Sequence, residues 1–430
     1  MQFRRALICF ALIGAAARAE EDIFPVFDDE PAAEQQPAER PASLSAPANR
    51  RPAAPTGVPW NANRQPVKAE SRMTRSALTA ESLSGPAAPF AADPNARSMA
   101  TNAGKPELLK AYQLTNNATT AEDYTLLIEL CREGLEKGVD QSMAVYGRKL
   151  TAWAYNRRGE VLADSGAAQQ AFEDFDASVS LDRKQWRAVH NRGVSYALLG
   201  NPTAAIADFT RAIELNPRFA NAWFNRGELM YENRDFAAAV RDYNQVLKLN
   251  PQDVAALNSR GHALYRLRRS AEALTDYNRA LQIDPTSAAS LVNRGDILSD
   301  QGRYAEAAKD YRNAIKANPN LGRAYQSAAW LMATCPVEEF RNVELGIEAA
   351  QKAIALDGNG DYRYLETLAA AQANAGEYKA AVETQKQALD TAPEAIAQVY
   401  KGRIEKYKAG RPHREPNVKL VGSSRAAARR

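Results

Sequence analysis

Between about residues 152 and 395, apolar and small residues recur at helical spacing in paired segments, and the pattern of one pair returns in the next after 34 residues. The clearest marks are Gly159, Gly193, Gly227, Gly261 and Gly295. If each unit begins seven residues before its glycine, the third helical turn carries Leu162, Tyr196, Met230, Leu264 and Leu298. Twelve residues after the glycine stand Ala171, Ala205, Ala239, Ala273 and Ala307, and sixteen after it an aromatic, Phe175, Phe209, Tyr243, Tyr277 or Tyr311. Pro217, Pro251, Pro285 and Pro319 close four of the units, with Arg183 in that place in the first. Each unit therefore predicts two helices that approach through small residues while the aromatic fills the gap. A fixed period of this length marks a stack in which no unit buries its apolar face alone, so function is expected on a surface spread over several units.

In size and residue type the units resemble tetratricopeptide repeats, over about 152–395. The resemblance implies an all-α fold, a right-handed α-solenoid of stacked helix-turn-helix repeats. Five units are regular. A sixth begins near Gly322 with Ala329 in the glycine place, and an insertion around Thr334 to Asn342 precedes its second helix, Val343 to Leu356. A seventh runs from about Tyr362 to Ala395. Within 104–151, Pro106 to Gly138 reads as a degenerate helical pair, and Val139 to Leu150 extends the helix containing Trp153. Residues 396–410 are expected to form a helix capping the apolar end of the stack, and 411–430 a disordered basic tail.

The N-terminus changes the picture of where the protein works. Met1 to Arg5 is short and basic, Ala6 to Ala17 is apolar or small, and Ala17-Arg18-Ala19 fits a signal-peptidase site, so residues 1–19 read as an export signal. The apolar run is short for a membrane span, and an uncleaved anchor is the alternative. Residues 20–103 hold 12 of the 22 prolines with little helical periodicity, which predicts a disordered linker that buries too little apolar surface to offset its ordering entropy. Within it, Ile23 to Phe27 forms one apolar cluster among acidic residues, either a docking motif or a remnant beside the cleavage site.

Composition, 45% hydrophobic and 25% charged, is ordinary for a folded domain. Without residues 1–19 the chain carries 52 basic and 51 acidic residues, yet Lys401 to Arg430 holds ten basic against two acidic. That end is either a solvated tail or a weak, salt-sensitive contact to anionic polymer or lipid. It lacks the interleaved aromatics of a specific nucleic-acid binder beyond Tyr407. Cys131 and Cys335 lie too many units apart for an internal disulfide. The three histidines, His190, His262 and His413, show no metal-ligand spacing, and no phosphate-binding glycine loop or nucleophile elbow occurs. A non-enzymatic protein without cofactors is expected.

Two polar patterns remain. Arginine precedes each glycine, as Arg158, Arg192, Arg226, Arg260 and Arg294, where the family normally has leucine. Sixteen residues later comes Asp174, Asp208, Asp242, Asp276 or Asp310, and both members are lost together in the sixth and seventh units. A partly buried guanidinium needs an oxygen partner, so each arginine is expected to tie the two helices of its unit; the rival is a ladder of arginines awaiting an acidic ligand. The second pattern comes from the resemblance, which places ligands on a concave face made by the first helices. There it implies Arg187, His190, Asn221, Phe224, Glu228, Tyr231, Asn258, His262, Tyr265 and Arg266, with Asn191 and Asn225 beside them, a set suited to an extended peptide. The two-carboxylate clamp of chaperone-docking members is present only in pieces: Asn191 matches, while Asn156, Glu160, Asn221 and Asn225 do not. The expected partner is therefore a protein or peptide segment other than a chaperone tail.

Overall fold

The computed structural model describes residues 102–358 and 360–417 of the chain. The expected export signal, all but the last two residues of the expected linker, and the expected tail from 418 onward lie outside the described residues. The described secondary structure is helical, with seventeen α-helices, one short 3-10 turn and no strand. It divides into two compact units, residues 102–283 and 284–417.

The first unit contains α1 (Lys105–Leu114), α2 (Ala121–Glu136), α3 (Gln141–Asp164), α4 (Ala168–Leu181), α5 (Trp186–Leu198), α6 (Pro202–Leu215), α7 (Ala220–Glu232), α8 (Phe236–Leu249), α9 (Val254–Arg266) and α10 (Ser270–Ile283). Successive helices pack on one another. At α2, α3, α6, α8 and α9 a side chain satisfies a free N–H group of the first turn. Thr120 Oγ1 accepts from Asp123 N at 3.1 Å while the Asp123 carboxylate accepts from Thr120 N at 3.0 Å, a reciprocal cap. Asp235 and Asp253 accept from Ala238 and Ala256 N–H, each at 2.9 Å. Helix ends fall at Asn216 and Asn250, because the following prolines push the residue before them out of helical backbone. The turn inside each repeat passes through left-handed backbone, at Gly166 and Gly200 in two repeats but at Arg234 and Arg268 in the next two.

The 34-residue mark has a steric cause. A Cβ built on Gly159 would sit 2.6 Å from the Phe175 ring, and on Gly227 2.9 Å from the Tyr243 ring. The first helix thus lacks a side chain where the aromatic of the second presses against its backbone. In the second unit the pair is Gly295 and Tyr311, at 2.6 Å, with the ring 1% exposed. Because a buried ring cannot give way cheaply, Gly295→Ala is expected to destabilise that unit by about 1–3 kcal/mol despite alanine's better helix propensity. Urea unfolding followed by circular dichroism tests this; a variant as stable as the parent would refute it.

The second unit contains α11 (Ala288–Asp300), α12 (Tyr304–Ala317), α13 (Gly322–Thr334), the 3-10 turn Glu338–Phe340, α14 (Val343–Asp357), α15 (Tyr362–Asn374), α16 (Tyr378–Thr391) and α17 (Glu394–Lys408). The insertion before α14 is held by Asn342, whose N–H reaches Met332 O at 3.2 Å and whose side chain caps Leu345 N at 2.9 Å. α17 covers the end of the stack with Ile404 and Tyr407 packed on Ala369, Ala373 and Ala381. Residues 411–417, placed by composition in a free tail, are instead fixed against α13 and α15. Cys131 and Cys335 are free thiols, both buried. No described helix is long and apolar enough to cross a membrane.

Candidate functional site

The arginines that precede the repeat glycines point toward the second helix of their own repeat. Arg226 donates from Nε to Asp242 Oδ2 and from Nη2 to Asp242 Oδ1, both at 2.8 Å. The same two-pronged bond joins Arg158 to Asp174 (2.8 and 2.7 Å), Arg192 to Asp208 (2.8 and 2.9 Å), Arg260 to Asp276 (2.8 and 2.5 Å) and Arg294 to Asp310 (both 2.7 Å). The aspartates are buried and the guanidinium groups half-buried. The bond to Asp208 holds the Arg192 guanidinium above its ordinary pKa. Within the first unit the remaining nitrogen reaches back one repeat: Arg192 Nη1 to Asp176 (2.8 Å), Arg226 Nη1 to Thr210 (3.1 Å) and Arg260 Nη1 to Asn244 (2.7 Å). Each of these arginines therefore joins three helices. This third contact was missed from sequence, although its signal was present: a residue able to accept a hydrogen bond directly follows the aromatic in these repeats.

The expected groove residues form a layer between neighbouring first helices. Asn225 Nδ2 donates to His190 Nε2 at 3.0 Å, and the other ring nitrogen lies 3.2 Å from Asn191 Oδ1. An amide N–H on Nε2 requires the neutral ring with its proton on Nδ1. Asn191 Nδ2 continues the chain to Asn156 Oδ1 (3.0 Å) and Glu160 Oε1 (3.1 Å). One repeat further, Tyr231 Oη lies 2.6 Å from His262 Nε2, Arg266 Nη1 donates to Tyr231 Oη at 3.4 Å, and Tyr243 Oη donates to Glu228 Oε1 at 2.6 Å. His190, Asn191, Phe224, Asn225, Glu228, Tyr231, Asn258, His262 and Tyr265 are all buried; Arg187, Asn221 and Arg266 keep partial exposure. The reason is packing: His190, Asn191, Asn225, Tyr231 and His262 meet side chains on a neighbouring first helix, while Phe224 and Glu228 meet Tyr243 on the second helix of their own repeat. Of the accessible three, Arg187 lies over the Trp186 ring at 4.3 Å and Arg266 over Phe236 at 4.7 Å, flat cationic surfaces backed by aromatic rings.

Burial lowers the pKa of His190 from its ordinary 6.5 to about 4. Between those values the unfolded chain binds a proton that the folded chain refuses, so stability is full above pH 6.5 and falls as pH falls toward 4. The expected loss is about 1–3 kcal/mol. Comparing urea midpoints at pH 7 and 4.5 for the parent and for His190→Gln checks this; equal pH dependence in both would show the histidine is not responsible.

Sequence profiles of the tetratricopeptide repeat match residues 186–219, 209–241, 230–288 and 288–321, and the matches 186–219 and 288–321 begin at the first residues of α5 and α11. Residues 186–321 are tetratricopeptide repeats. No curated protein gives a significant sequence match. Among solved structures, a tetratricopeptide repeat protein from Parabacteroides merdae is 18% identical over 60% of this chain and 98% of its own, with a TM-score of 0.47. PilF of Pseudomonas aeruginosa is 17% identical over 51% and 97%, with a TM-score of 0.45. YrrB, described as a tetratricopeptide repeat protein with an unusual peptide-binding site, is 20% identical over 43% and 94%, with a TM-score of 0.37. The tetratricopeptide repeats make this chain a protein-interaction scaffold, a fold class generally without catalysis of its own.

Proposed function

We propose that the scaffold is exported and holds extended protein segments along the first helices of residues 152–283. The carrying observation is the hydrogen-bonded layer from Asn156 through His190 to Asn225, which fixes the first helices while Arg187, Asn221 and Arg266 stay accessible above it. Amide and guanidinium groups on a rigid support suit a peptide backbone and its acidic or aromatic side chains, and a rigid support lowers the entropy lost on binding. The buried members of the layer act as supports, and the three accessible residues make contact. The N-terminal signal supports export, with Glu20 as the mature start.

A photo-crosslinking residue at Asn221, expressed in the native cell, tests the contact surface. Partner bands are expected in the extracytoplasmic fraction and should disappear with Arg187→Ala/Arg266→Ala, provided that circular dichroism shows the double variant as folded as the parent. Bands that survive the double variant would defeat the groove reading, and an intact Met1 on cytoplasmic protein would defeat export. A second reading, docking of the basic C-terminal end on anionic polymer or lipid, is supported by the four basic and no acidic residues of 418–430. Release from the envelope by high salt would favour it.

A further inference from the structure

Residues 411–417 run without helical structure from the end of α17 across the C-terminal ends of α13 and α15. Gly410, at φ +66°, reverses the chain, and Arg411 N bonds back to Lys406 O at 3.0 Å. The next residues then make side-chain and main-chain contacts of the kind a bound peptide makes. Arg414 Nη1 donates to Ala333 O at 2.9 Å, in the last turn of α13, and Nη2 to Asn374 Oδ1 at 2.6 Å, at the end of α15. A cation there meets free carbonyls and the negative ends of two helix dipoles. Glu415 N donates to Thr334 O at 2.9 Å, and its carboxylate accepts from Trp330 Nε1 at 3.2 Å. The His413 ring lies 5.8 Å from the Trp330 ring.

The fit is good for arginine and glutamate and poor for histidine. Neither ring nitrogen of His413 has a hydrogen-bond partner, although both are buried, and the nearest carboxylate oxygen, on Glu415, is 3.8 Å away. Arg403 and Lys406 add positive charge around it, and Glu415 adds negative charge. An apolar side chain in that place would cover Trp330 without stranding two polar atoms.

We propose that Trp330 with the C-terminal ends of α13 and α15 forms a recognition site for an extended partner segment of the form apolar-Arg-Glu, and that His413-Arg414-Glu415 occupies it in cis. The chain's own segment is the weaker ligand, held close by its tether, and a partner with an apolar residue before the arginine displaces it. This goes beyond the reading above: it concerns the other compact unit and names the chemistry recognised there. Its failure leaves the Asn221 crosslinking result unaffected.

The test uses the full chain, the full-length variant Arg414→Ala/Glu415→Ala, and a fluorescein-labelled peptide Arg-Pro-Phe-Arg-Glu-Pro-Asn. Releasing the internal occupant raises the competent fraction, so the variant is expected to bind the peptide about tenfold more tightly than the parent. Adding Trp330→Ala should abolish binding, and a peptide with alanines for Arg-Glu should not bind. Equal affinity for parent and folded variant, or no binding to the variant, would overturn the proposal. Should the variant lose its fold, hydrogen exchange on the unmodified chain decides instead: saturating peptide should speed exchange at 413–417, and unchanged protection overturns the proposal. Concentration-dependent dimers without peptide binding would assign the site to a second copy's tail and likewise overturn it.

Discussion

Replacing Arg403 by alanine is expected to destabilise the second compact unit by about 3–5 kcal/mol, because it strands a carboxylate in the interior. Arg403 is 7% exposed and pairs through Nη1 with Glu366, which is 2% exposed. The guanidinium also lies 5.2 Å from the Trp330 ring centre and 5.7 Å from that of Tyr400, and burial lowers its pKa. Without it, Glu366 keeps the Tyr400 hydroxyl, which donates to Oε2 at 2.6 Å. A neutral hydroxyl donor offsets only part of the desolvation of a carboxylate. The double variant Arg403→Met/Glu366→Gln removes both charges and should recover much of the loss, since a neutral pair of similar volume avoids the stranded charge. Urea unfolding with hydrogen exchange localised to α15 and α17 measures both. A single variant within about 1 kcal/mol of the parent would mean that water reaches Glu366 and that the pair contributes little.

The second large effect belongs to the repeat ion pairs. Asp242→Ala is expected to destabilise the first unit by about 2–4 kcal/mol, less than the loss at Arg403 because the Arg226 side chain is 17% exposed and can be partly rehydrated. The asymmetry between partners is the sharper test. Arg226→Leu in the Asp242→Ala background should restore stability, since the family's usual leucine at that position needs no oxygen partner. Unfolding of the four species in a double-mutant cycle gives the coupling. Additive losses would show that arginine and aspartate act separately, and the three-helix tie would fall with them.

Much of the repeat architecture could be read from residues because its causes are local. Gly227 is required by the Tyr243 ring sixteen residues away, and Asn250 ends its helix because Pro251 follows. Such constraints act within one helix pair and recur with the period. The pairing of Arg226 with Asp242 is of the same kind, which is why the loss of both partners together in the sixth and seventh repeats was informative. Its third link, to Thr210, crosses into the preceding repeat and was not anticipated.

The candidate site was less legible. Helical periodicity identifies the stripe that holds His190, Asn225, Tyr231 and His262, but not how far away the next first helix lies. That separation depends on packing between repeats, and at the observed approach His190 and Asn225 spend their polarity on each other. Residues 411–417 show the same limit in another form. Their charge predicts solvation, and nothing within the segment reveals that two helix ends offer a carbonyl and an amide oxygen at the right spacing for Arg414.

By itself, then, the sequence determined the helix pairs and their 34-residue period, because each rests on contacts within one pair of helices, and it offered the arginine–aspartate ties as one of two readings. Only the tertiary structure decided which polar residues face a neighbouring helix and which face water, and where residues 411–417 lie. Those outcomes depend on the distance between elements remote in the chain, and hydrogen-bonding groups follow whichever partner that distance supplies.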